Sequence, residues 1–336
     1  ALINTNLTGR SLSHCIATTE SRCCIFGEEV IDAVAGVRND LGGVGDGKLL
    51  FIADGGEVEA PVWAQDFDAL VAQMASPNPA ETGDVTLGDT ALYLFTSGTT
   101  GLPKAAVVSN RRQLLASSFA HTAALLCDER DVIYLCLPLY HGTGLFCGVG
   151  AAVHSGAALY LRRRFSASAF LPEVRASGAT CFVYIGELCR YLVNTPGQLG
   201  DDDNPLKRIT GNGLRPDIWL EFKHRFGIDR IAEFYGSSEG NVAFANILNK
   251  DCTVGTTTLP VALVQYDVDA DVVVRNRRGR CLRSPAGEPG LLLGKITRNT
   301  AFEGYTNSAA TEQKILRDVF RKGDAWFNTG DLMKTI

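Results

Sequence analysis

Residues 93–104 have the sequence Tyr-Leu-Phe-Thr-Ser-Gly-Thr-Thr-Gly-Leu-Pro-Lys. An apolar run typical of a strand leads into a loop of hydroxyl groups and glycines that ends in Pro103 and Lys104. Such a loop presents backbone N–H groups and hydroxyl donors to phosphate oxygens, and the lysine supplies a mobile positive charge. The segment therefore predicts a phosphate-binding loop with the ligand-facing residues Thr96, Ser97, Gly98, Thr99, Thr100, Gly101 and Lys104.

This loop differs from the phosphate loop of P-loop kinases and GTPases. That motif needs a glycine directly before its lysine and a serine or threonine directly after it. Here Pro103 precedes Lys104 and Ala105 follows it. A polar hairpin turn is the other interpretation, but such a turn would not need four loop hydroxyls and two glycines ahead of a Pro-Lys pair. The sequence therefore favours a nucleotide phosphate held by a loop of another class.

A second polar segment follows an apolar strand at residues 233–241, Glu-Phe-Tyr-Gly-Ser-Ser-Glu-Gly-Asn. Tyr235 offers a flat ring for stacking on a nucleobase, and Ser238 offers a hydroxyl group to the α-phosphate. Glu239 can hold Mg²⁺, which usually takes only one or two protein carboxylates and completes its shell with phosphate and water. The two segments together predict a magnesium–nucleotide site.

The two segments resemble the signature motifs of the adenylate-forming (AMP-binding) superfamily, which includes acyl-CoA synthetases, luciferases and the adenylation domains of peptide synthetases. Further matches follow in the family's order at residues 137–142, 211–216, 287–290 with 304–305, and 326–332. The Gly-Asn-Gly run at 211–213 resembles the fatty acid transport protein branch, also called very-long-chain acyl-CoA synthetases. The family more often has threonine where Ser238 stands, so the hydroxyl group is kept.

This resemblance implies ATP and Mg²⁺ as cofactors and CoA as a co-substrate. It assigns the adenylation chemistry to Thr96, Lys104, Ser238 and Glu239, with Glu239 as the metal ligand. A carboxylate such as Asp331 suits the vicinal diol of ribose because it accepts two donors at once. Outside the phosphate loop, the implied nucleotide-binding residues are Gly211, Asn212, Gly213, Glu233, Phe234, Tyr235, Gly236, Ser238 and Asp331.

The substrate implied by the resemblance is a long- or very-long-chain fatty acid, activated as acyl-AMP and then as acyl-CoA. His141 is expected to line the substrate site rather than to transfer a proton. Tyr184 and Gly186 lie in the apolar run 182–186, which suits an acyl chain. An aryl-CoA ligase or an acyl-AMP ligase of the same fold is an alternative. A fatty-acid uptake or binding protein without catalysis, or a degenerate ATP-binding module, is an alternative of another class.

Strand and helix patterns alternate through most of the chain and predict an α/β fold, with parallel sheets covered by helices. From about Gly255, short strands joined by Gly, Asn and Pro turns predict a small antiparallel β-barrel. We expect α/β adenylation subdomains over residues 1–254 and the barrel subdomain over residues 255–336. Strand candidates include Leu49–Ala53, Ala91–Phe95, Ala105–Ser109, Val132–Leu135, Ala158–Leu161, Cys181–Tyr184, Val261–Val268 and Gly290–Lys295.

The resemblance implies the large N-terminal domain of the acyl-CoA synthetase/luciferase fold. Family members continue past the Gly-Asp-Leu run at 330–332 into a hinge and a C-terminal domain that supplies a lysine for adenylation. The chain ends at Ile336. We therefore expect that the C-terminal domain is missing here and that this chain alone binds ATP weakly and turns over slowly.

The composition excludes some partners. The net charge of −5 gives no overall attraction to nucleic acid. The basic run at 275–280 is interpreted as a solvated turn, with membrane or CoA-phosphate contact as the alternative. The ten cysteines form no C-x-x-C pair, which indicates reduced thiols in a cytoplasmic protein. The apolar stretch 143–161 contains glycines and His154, so we expect a buried helix followed by a strand. Membrane association is implied only for regions outside this chain.

Overall fold

The computed structural model describes residues 1–55, 58–96, 101–236, 241–302 and 304–336. The chain divides into two compact units. The first unit contains Ala1–Asn110 and Tyr305–Asn307, and the second contains Arg111–Gly304 and Ser308–Ile336.

The first unit contains a small parallel sheet with strand order β1-β2-β3. Its strands are β1 (Cys24–Gly27), β2 (Leu49–Ile52) and β3 (Gln65–Asp66). The helices of this unit are α1 (Gly9–Thr18), α2 (Ile31–Ala35) and α3 (Phe67–Val71). Ile16, Leu49 and Phe51 are almost fully buried between these elements. The apolar stripe of α1 and alternate residues of β2 therefore build one core.

The strands that flank the predicted phosphate loop form an antiparallel pair, β4 (Thr90–Thr96) and β5 (Lys104–Ser109). Sequence alternation predicted parallel sheets, and for this pair that prediction is wrong. Only residues 97–103 separate the two strands. A parallel connection needs a crossover of a dozen or more residues, which this loop cannot supply. The register places Thr96 opposite Lys104, so both predicted site residues lie at the loop end of the pair.

The second unit is built on a six-stranded sheet with strand order β11-β10-β9-β8-β6-β7. All neighbouring strands are parallel except β10 and β11. The strands are β6 (Val132–Leu135), β7 (Ala158–Leu161), β8 (Cys181–Ile185), β9 (Arg208–Asn212), β10 (Arg230–Gly236) and β11 (Ala243–Ala245).

Helices connect the parallel strands of this sheet, as the alternating pattern predicted. They are α5 (Ala151–Ser155, preceded by a π-helix over Thr143–Gly150), α6 (Ala167–Ser177), α7 (Gly186–Val193) and α8 (Pro216–Arg225). The sheet is preceded by α4 (Asn110–Phe119, continued as a π-helix over Ala120–Leu125). The apolar stretch 143–161 is a helix followed by strand β7, as expected. Among the described residues, no helix combines the length and apolar character needed to cross a membrane.

Aromatic rings fill the core of the six-stranded sheet. Phe170 of α6 packs against Tyr134 at 5.2 Å and against Phe182 at 4.9 Å between ring centroids. Phe222 and Phe226 at the end of α8 are 4.8 Å apart and buried. Rings in tilted and edge-to-face contact add to the energy of burial itself. This packing joins α6 to the neighbouring strands β6 and β8.

An antiparallel sheet follows, with strand order β12-β15-β17-β16. The elements of this region are β12 (Val261–Val264), β13 (Tyr266–Asp267), β14 (Val272–Val273), β15 (Gly290–Lys295), α9 (Ser308–Gln313), β16 (Ile315–Arg317) and β17 (Ala325–Met333). The sequence predicted one strand over Val261–Val268. The structure ends it at Val264, where the chain leaves β15 and forms a separate ribbon of β13 and β14.

Candidate nucleotide-binding site

Three neighbouring strands of the six-stranded sheet end at the same edge. Because β8, β9 and β10 are parallel, their carboxyl ends at Ile185, Asn212 and Gly236 lie side by side. The register places Tyr184 opposite Gly211 and Gly211 opposite Glu233. Ligands of open α/β sheets bind at this edge. The structure therefore brings together most of the predicted residues of the second unit: Tyr184, Gly186, Gly211, Asn212, Gly213, Glu233, Phe234, Tyr235 and Gly236.

Glu233 is buried beneath this edge, with 2% of its surface exposed. Its Oε1 accepts hydrogen bonds from the backbone N–H groups of Gly213 at 2.5 Å and Leu214 at 3.1 Å. Its Oε2 accepts a hydrogen bond from the hydroxyl group of Tyr184. Burial raises the pKa of Glu233 to about 7, against the opposing effect of these three donors. The carboxylate therefore holds the chain after β9 in place, and its oxygens face groups of this chain.

Tyr184 was predicted to line the substrate site through its place in an apolar run. Its side chain is fully buried in the core, and its hydroxyl group donates a hydrogen bond to Glu233. Burial raises the pKa of Tyr184 well above its ordinary value, so the hydroxyl group keeps its proton and remains a donor. In this geometry Tyr184 can contribute to the site by positioning Glu233.

Two glycines of the site lie where no side chain fits. A Cβ atom on Gly186, the first residue of α7, would lie 1.6 Å from the carbonyl oxygen of Gly213. A Cβ atom on Gly211 would lie 2.1 Å from the carbonyl oxygen of Tyr184. Gly213 itself has a φ of +84°, in the left-handed region that favours glycine. The Gly-Asn-Gly run is therefore required by contacts within the protein, in addition to any role toward a ligand.

Asn212 is connected to the segment that carries His141. Thr143 donates a hydrogen bond from its hydroxyl group to Oδ1 of Asn212 at 3.0 Å. His141 lies two residues before Thr143, with its ring 4.7 Å from that of Tyr140. The side chain of His141 is exposed, yet nearby atoms desolvate the ring enough to lower its pKa. A ring that is neutral at neutral pH is compatible with the expectation that His141 lines the substrate site.

Tyr235 and Asp331 meet, although they lie on different sheets of the second unit. The hydroxyl group of Tyr235 on β10 donates to Oδ2 of Asp331 on β17 at 2.5 Å. Asp331 is exposed, and its backbone N–H donates to the hydroxyl oxygen of Thr329 at 3.1 Å. An aromatic ring beside an exposed carboxylate can present one face to a base and acceptor oxygens to a diol. The sequence placed both residues at the nucleoside, and the structure places them in contact.

The phosphate loop belongs to the first unit. Lys104 extends over the ring of Tyr305, with Nζ 5.5 Å from the ring centroid. The carbonyl oxygen of Pro103 lies 3.0 Å from Nε2 of His14 on α1. Gly101 has a φ of +106°, which favours glycine. Six residues predicted at the phosphates and the metal lie outside the described part of the chain: Ser97, Gly98, Thr99, Thr100, Ser238 and Glu239.

Sequence reasoning missed how the site is supported. The bonds from Tyr184 to Glu233 and from Thr143 to Asn212 join residues distant along the chain. One signal was available, because Glu233 interrupts the apolar strand Ile-Ala-Glu-Phe-Tyr. A buried carboxylate needs hydrogen-bond partners. The pattern indicates that Glu233 has partners, but it does not say which residues they are.

The chain matches the AMP-binding enzyme family over residues 1–306. It is 42% identical to the medium/long-chain-fatty-acid–CoA ligase FadD6 of Mycobacterium tuberculosis, across 99% of this chain and 53% of that protein. It is 40% identical to the long-chain fatty acid transport protein 2 of Rattus norvegicus, across 99% of this chain and 54% of that protein. The chain thus spans about half the length of the curated relatives it matches.

Among solved structures, the anthranilate CoA ligase AuaEII in complex with anthranoyl-AMP superposes with a TM-score of 0.77. The sequence identity is 18%, and the match covers 99% of this chain and 60% of that one. At this identity the similarity concerns the fold. It confirms the mixed α/β architecture of acyl- and aryl-CoA ligases that the motif order predicted.

Proposed function

Because the chain belongs to the AMP-binding enzyme family, we propose that it carries the adenylation site of a fatty-acid–CoA ligase. The reaction joins a long- or very-long-chain fatty acid to AMP and then to CoA. The observation that carries this proposal is the contact between Tyr235 and Asp331, a ring and a carboxylate from separate motifs that meet at 2.5 Å. The fatty-acid substrate is supported by the 42% identity to a medium/long-chain-fatty-acid–CoA ligase.

In the first step a carboxylate oxygen of the fatty acid attacks the α-phosphorus of ATP, and pyrophosphate leaves. The carboxylate is already a nucleophile, so the protein need not supply a general base. Its contribution is to position the reactants and to balance charge on the phosphates. In the second step the thiol of CoA attacks the acyl carbon, and AMP leaves.

The chemistry of each residue suits it to one part of the nucleotide. Lys104 and the loop from Thr96 would bind the β- and γ-phosphates, Ser238 the α-phosphate, and Glu239 the Mg²⁺ that neutralises them. The chain from Gly211 to Gly213 and Tyr235 would enclose the adenine. Asp331 is exposed and keeps acceptor capacity besides the bond from Tyr235, which fits the two ribose hydroxyl groups.

Pyrophosphate release with ATP, Mg²⁺ and a panel of long-chain, short-chain and aromatic acids tests this function. The assay is run on the chain alone and on the chain joined to the remaining C-terminal part of FadD6. We expect release from the longer protein with long acids only, and its loss in Glu239→Ala. Release with aromatic acids only would move the assignment to an aryl-CoA ligase of the same fold. No release with any acid, from a protein that binds ATP, would overturn the enzymatic assignment.

A fatty-acid uptake or binding protein without catalysis is the second candidate. The observation that favours it is the 40% identity to a long-chain fatty acid transport protein. Such a protein would associate with a membrane in its full-length form. This candidate predicts lipid binding that needs no ATP and that Glu239→Ala leaves unchanged. The ligase instead predicts a reaction of the fatty acid that requires both ATP and Glu239.

A further inference from the structure

Two adjacent turns of the second unit carry a concentration of positive charge. They are residues 275–283 and 318–324, here called the basic turns. Together they hold seven arginine and lysine side chains and two aspartates, in a chain whose net charge is −5. The excess of cations is therefore local and opposite in sign to the charge of the whole chain.

Backbone contacts fix the basic turns side by side. The N–H of Cys281 donates to the carbonyl oxygen of Val319 at 2.8 Å. The guanidinium of Arg280 donates to the carbonyl oxygen of Asp318 at 2.9 Å, and that of Arg275 donates to the carbonyl oxygen of Gly279 at 2.7 Å. The cations of the two turns thus form one continuous surface.

The two carboxylates of the basic turns are engaged internally. Asp324 accepts hydrogen bonds from the backbone N–H groups of Val319, Phe320 and Arg321 at 2.6–3.0 Å. Asp318 accepts from the N–H of Gly323 at 2.7 Å and pairs with Arg280 at 3.2 Å. Both aspartates therefore shape the second turn, and their oxygens are directed at its backbone.

Arg283 lies over the ring of Phe320. The other four cations without a contact described above are Arg277, Arg278, Arg321 and Lys322. All four are exposed. Within the residues that the structure describes, their side chains take part in none of the hydrogen bonds or ion pairs. Unpaired cations held at the tips of two ordered turns attract a negatively charged surface without needing to break existing ion pairs.

The ribbon of β13 and β14 leads into the first basic turn, and the end of the ribbon farther from that turn is acidic. Residues 268–271, between β13 and β14, contain Asp269 and Asp271, and Asp267 precedes them. Strand β14 separates this acidic turn from the basic one, so the ribbon is electrically polar along its length. An anionic surface would attract the basic end and repel the acidic end, which defines one orientation of approach.

The surrounding side chains favour a lipid surface over a nucleic acid. Leu282 of the first basic turn is 36% exposed, so an apolar group accompanies the cations as it does at membrane interfaces. The one aromatic residue of the basic turns is Phe320, and the guanidinium of Arg283 lies 4.3 Å from its ring centroid. That ring is therefore covered and does not offer a stacking platform for bases.

We propose that the basic turns dock the second unit onto a membrane surface that carries anionic lipid headgroups. The attraction is electrostatic and falls off within a Debye length, so docking is reversible and sensitive to salt. This contact is independent of the proposed catalysis, because no residue of the candidate nucleotide site belongs to the basic turns.

The test is sedimentation of the chain with vesicles of phosphatidylcholine, with and without phosphatidylserine. We expect binding only to the phosphatidylserine vesicles. A variant with Arg277, Arg278, Arg321 and Lys322 all changed to Gln should bind on the order of 600-fold more weakly, because each of the four cations near such a surface contributes a factor of about five. The matched control changes Arg10, Arg22, Lys250 and Arg298 to Gln. These four side chains are exposed and lie elsewhere, so the control has the same net charge and should still bind.

Equal loss of binding in both variants would reduce the effect to net charge and overturn the proposal. So would vesicle binding that survives in the variant of the basic turns. If the chain binds an RNA homopolymer but not the vesicles, the surface belongs to a different partner class. If inorganic phosphate or CoA at millimolar concentration abolishes vesicle binding while an equal ionic strength of sodium chloride does not, the turns form a discrete phosphate site instead.

Discussion

The hydroxyl group of Tyr184 donates a hydrogen bond to the buried carboxylate of Glu233, across the strand that ends in the Gly-Asn-Gly run. The other oxygen of Glu233 holds the backbone N–H groups of Gly213 and Leu214. One carboxylate thus ties three parallel strands together at the edge where the nucleotide is proposed to bind. The stability of the second unit and the shape of the candidate site therefore depend on the same few atoms.

Removing the hydroxyl group of Tyr184 should destabilise the protein. In Tyr184→Phe, Oε2 of Glu233 loses its donor in a fully buried position, and an unsatisfied buried acceptor costs about 1–3 kcal/mol. Urea unfolding monitored by circular dichroism measures the change in the free energy of unfolding.

Tyr160→Phe is the control for this measurement. Tyr160 lies beside Tyr134 at 5.5 Å between ring centroids, and its hydroxyl group has no hydrogen-bond partner among the described residues. The same atom is removed without leaving a buried acceptor, so the free energy of unfolding should change by no more than about 0.5 kcal/mol. Equal effects of the two substitutions would mean that the bond to Glu233 contributes nothing specific.

Glu233 should make stability depend on pH in the neutral and acid range. Burial raises its pKa from 4.5 to about 7 in the folded protein, so the folded state binds the proton more tightly than the unfolded state. The free energy of unfolding should therefore fall as the pH rises from 4.5 toward 7, by up to about 3 kcal/mol, since one pKa unit corresponds to about 1.4 kcal/mol. Below pH 4.5, Glu233 is protonated in both the folded and the unfolded state, so it no longer makes the free energy of unfolding depend on pH.

Glu233→Gln removes this titration while its amide keeps an oxygen for the N–H groups of Gly213 and Leu214. Unfolding curves at a series of pH values should show the wild type losing stability relative to the variant as the pH rises. Glu221→Gln, which changes an exposed carboxylate of α8, is the control and should follow the wild type. Parallel curves for the wild type and Glu233→Gln would contradict the raised pKa.

Gly186→Ala should damage the start of α7. The new methyl group would lie 1.6 Å from the carbonyl oxygen of Gly213, so either the helix or the Gly-Asn-Gly run must move. Overpacking of this kind costs about 1–3 kcal/mol or more. Unfolding by urea measures the loss, and titration with AMP shows whether the displaced run also weakens nucleotide binding.

Gly197→Ala provides the comparison for Gly186. A Cβ atom at this exposed position would meet only Cζ of Arg225, at 4.0 Å, which is an ordinary contact. Its substitution should be close to neutral for stability and for AMP binding. A stability loss at Gly197 equal to that at Gly186 would show that the close approach to Gly213 is not the cause.

Much of the fold could be predicted because local patterns decide it. Strands Val132–Leu135, Ala158–Leu161 and Gly290–Lys295 have in the structure the bounds that their apolar runs and turn signals predicted. Each is a short apolar run between polar or glycine-containing segments, which is the clearest signal that a sequence offers. The alternation of such runs with helices was enough to predict the parallel sheet of the second unit.

Pairing between distant segments could not be predicted in this way. The run Val261–Val268 is continuous in sequence, yet the chain changes partner after Val264, from β15 to the ribbon with β14. The role of Glu233 has the same origin, because its partners lie on other strands and in the loop after β9. Motifs identified which residue types lie at the candidate site. The contacts that hold those residues depend on tertiary packing, which periodicity does not encode.

Asp331→Asn should weaken nucleotide binding without unfolding the protein. Asp331 is exposed, so losing its charge removes little from the folded state, and its bond to Tyr235 at 2.5 Å can be replaced by the amide oxygen. The proposed bonds to ribose are charge-assisted and contribute about 1.5–3 kcal/mol, which corresponds to a roughly 10- to 150-fold loss of affinity for AMP. Isothermal titration calorimetry with AMP measures the affinity, and urea unfolding monitors the fold.

Asp269→Asn is the matched control, since it removes one exposed carboxylate of the same unit at the turn between β13 and β14. It should leave AMP affinity unchanged. 2′-Deoxy-AMP sharpens the comparison, because it lacks one of the two hydroxyl groups proposed to meet Asp331. Wild-type protein should prefer AMP over 2′-deoxy-AMP, and Asp331→Asn should lose most of that preference. If both proteins discriminate equally, the ribose is bound elsewhere and the contact between Tyr235 and Asp331 has only a structural role.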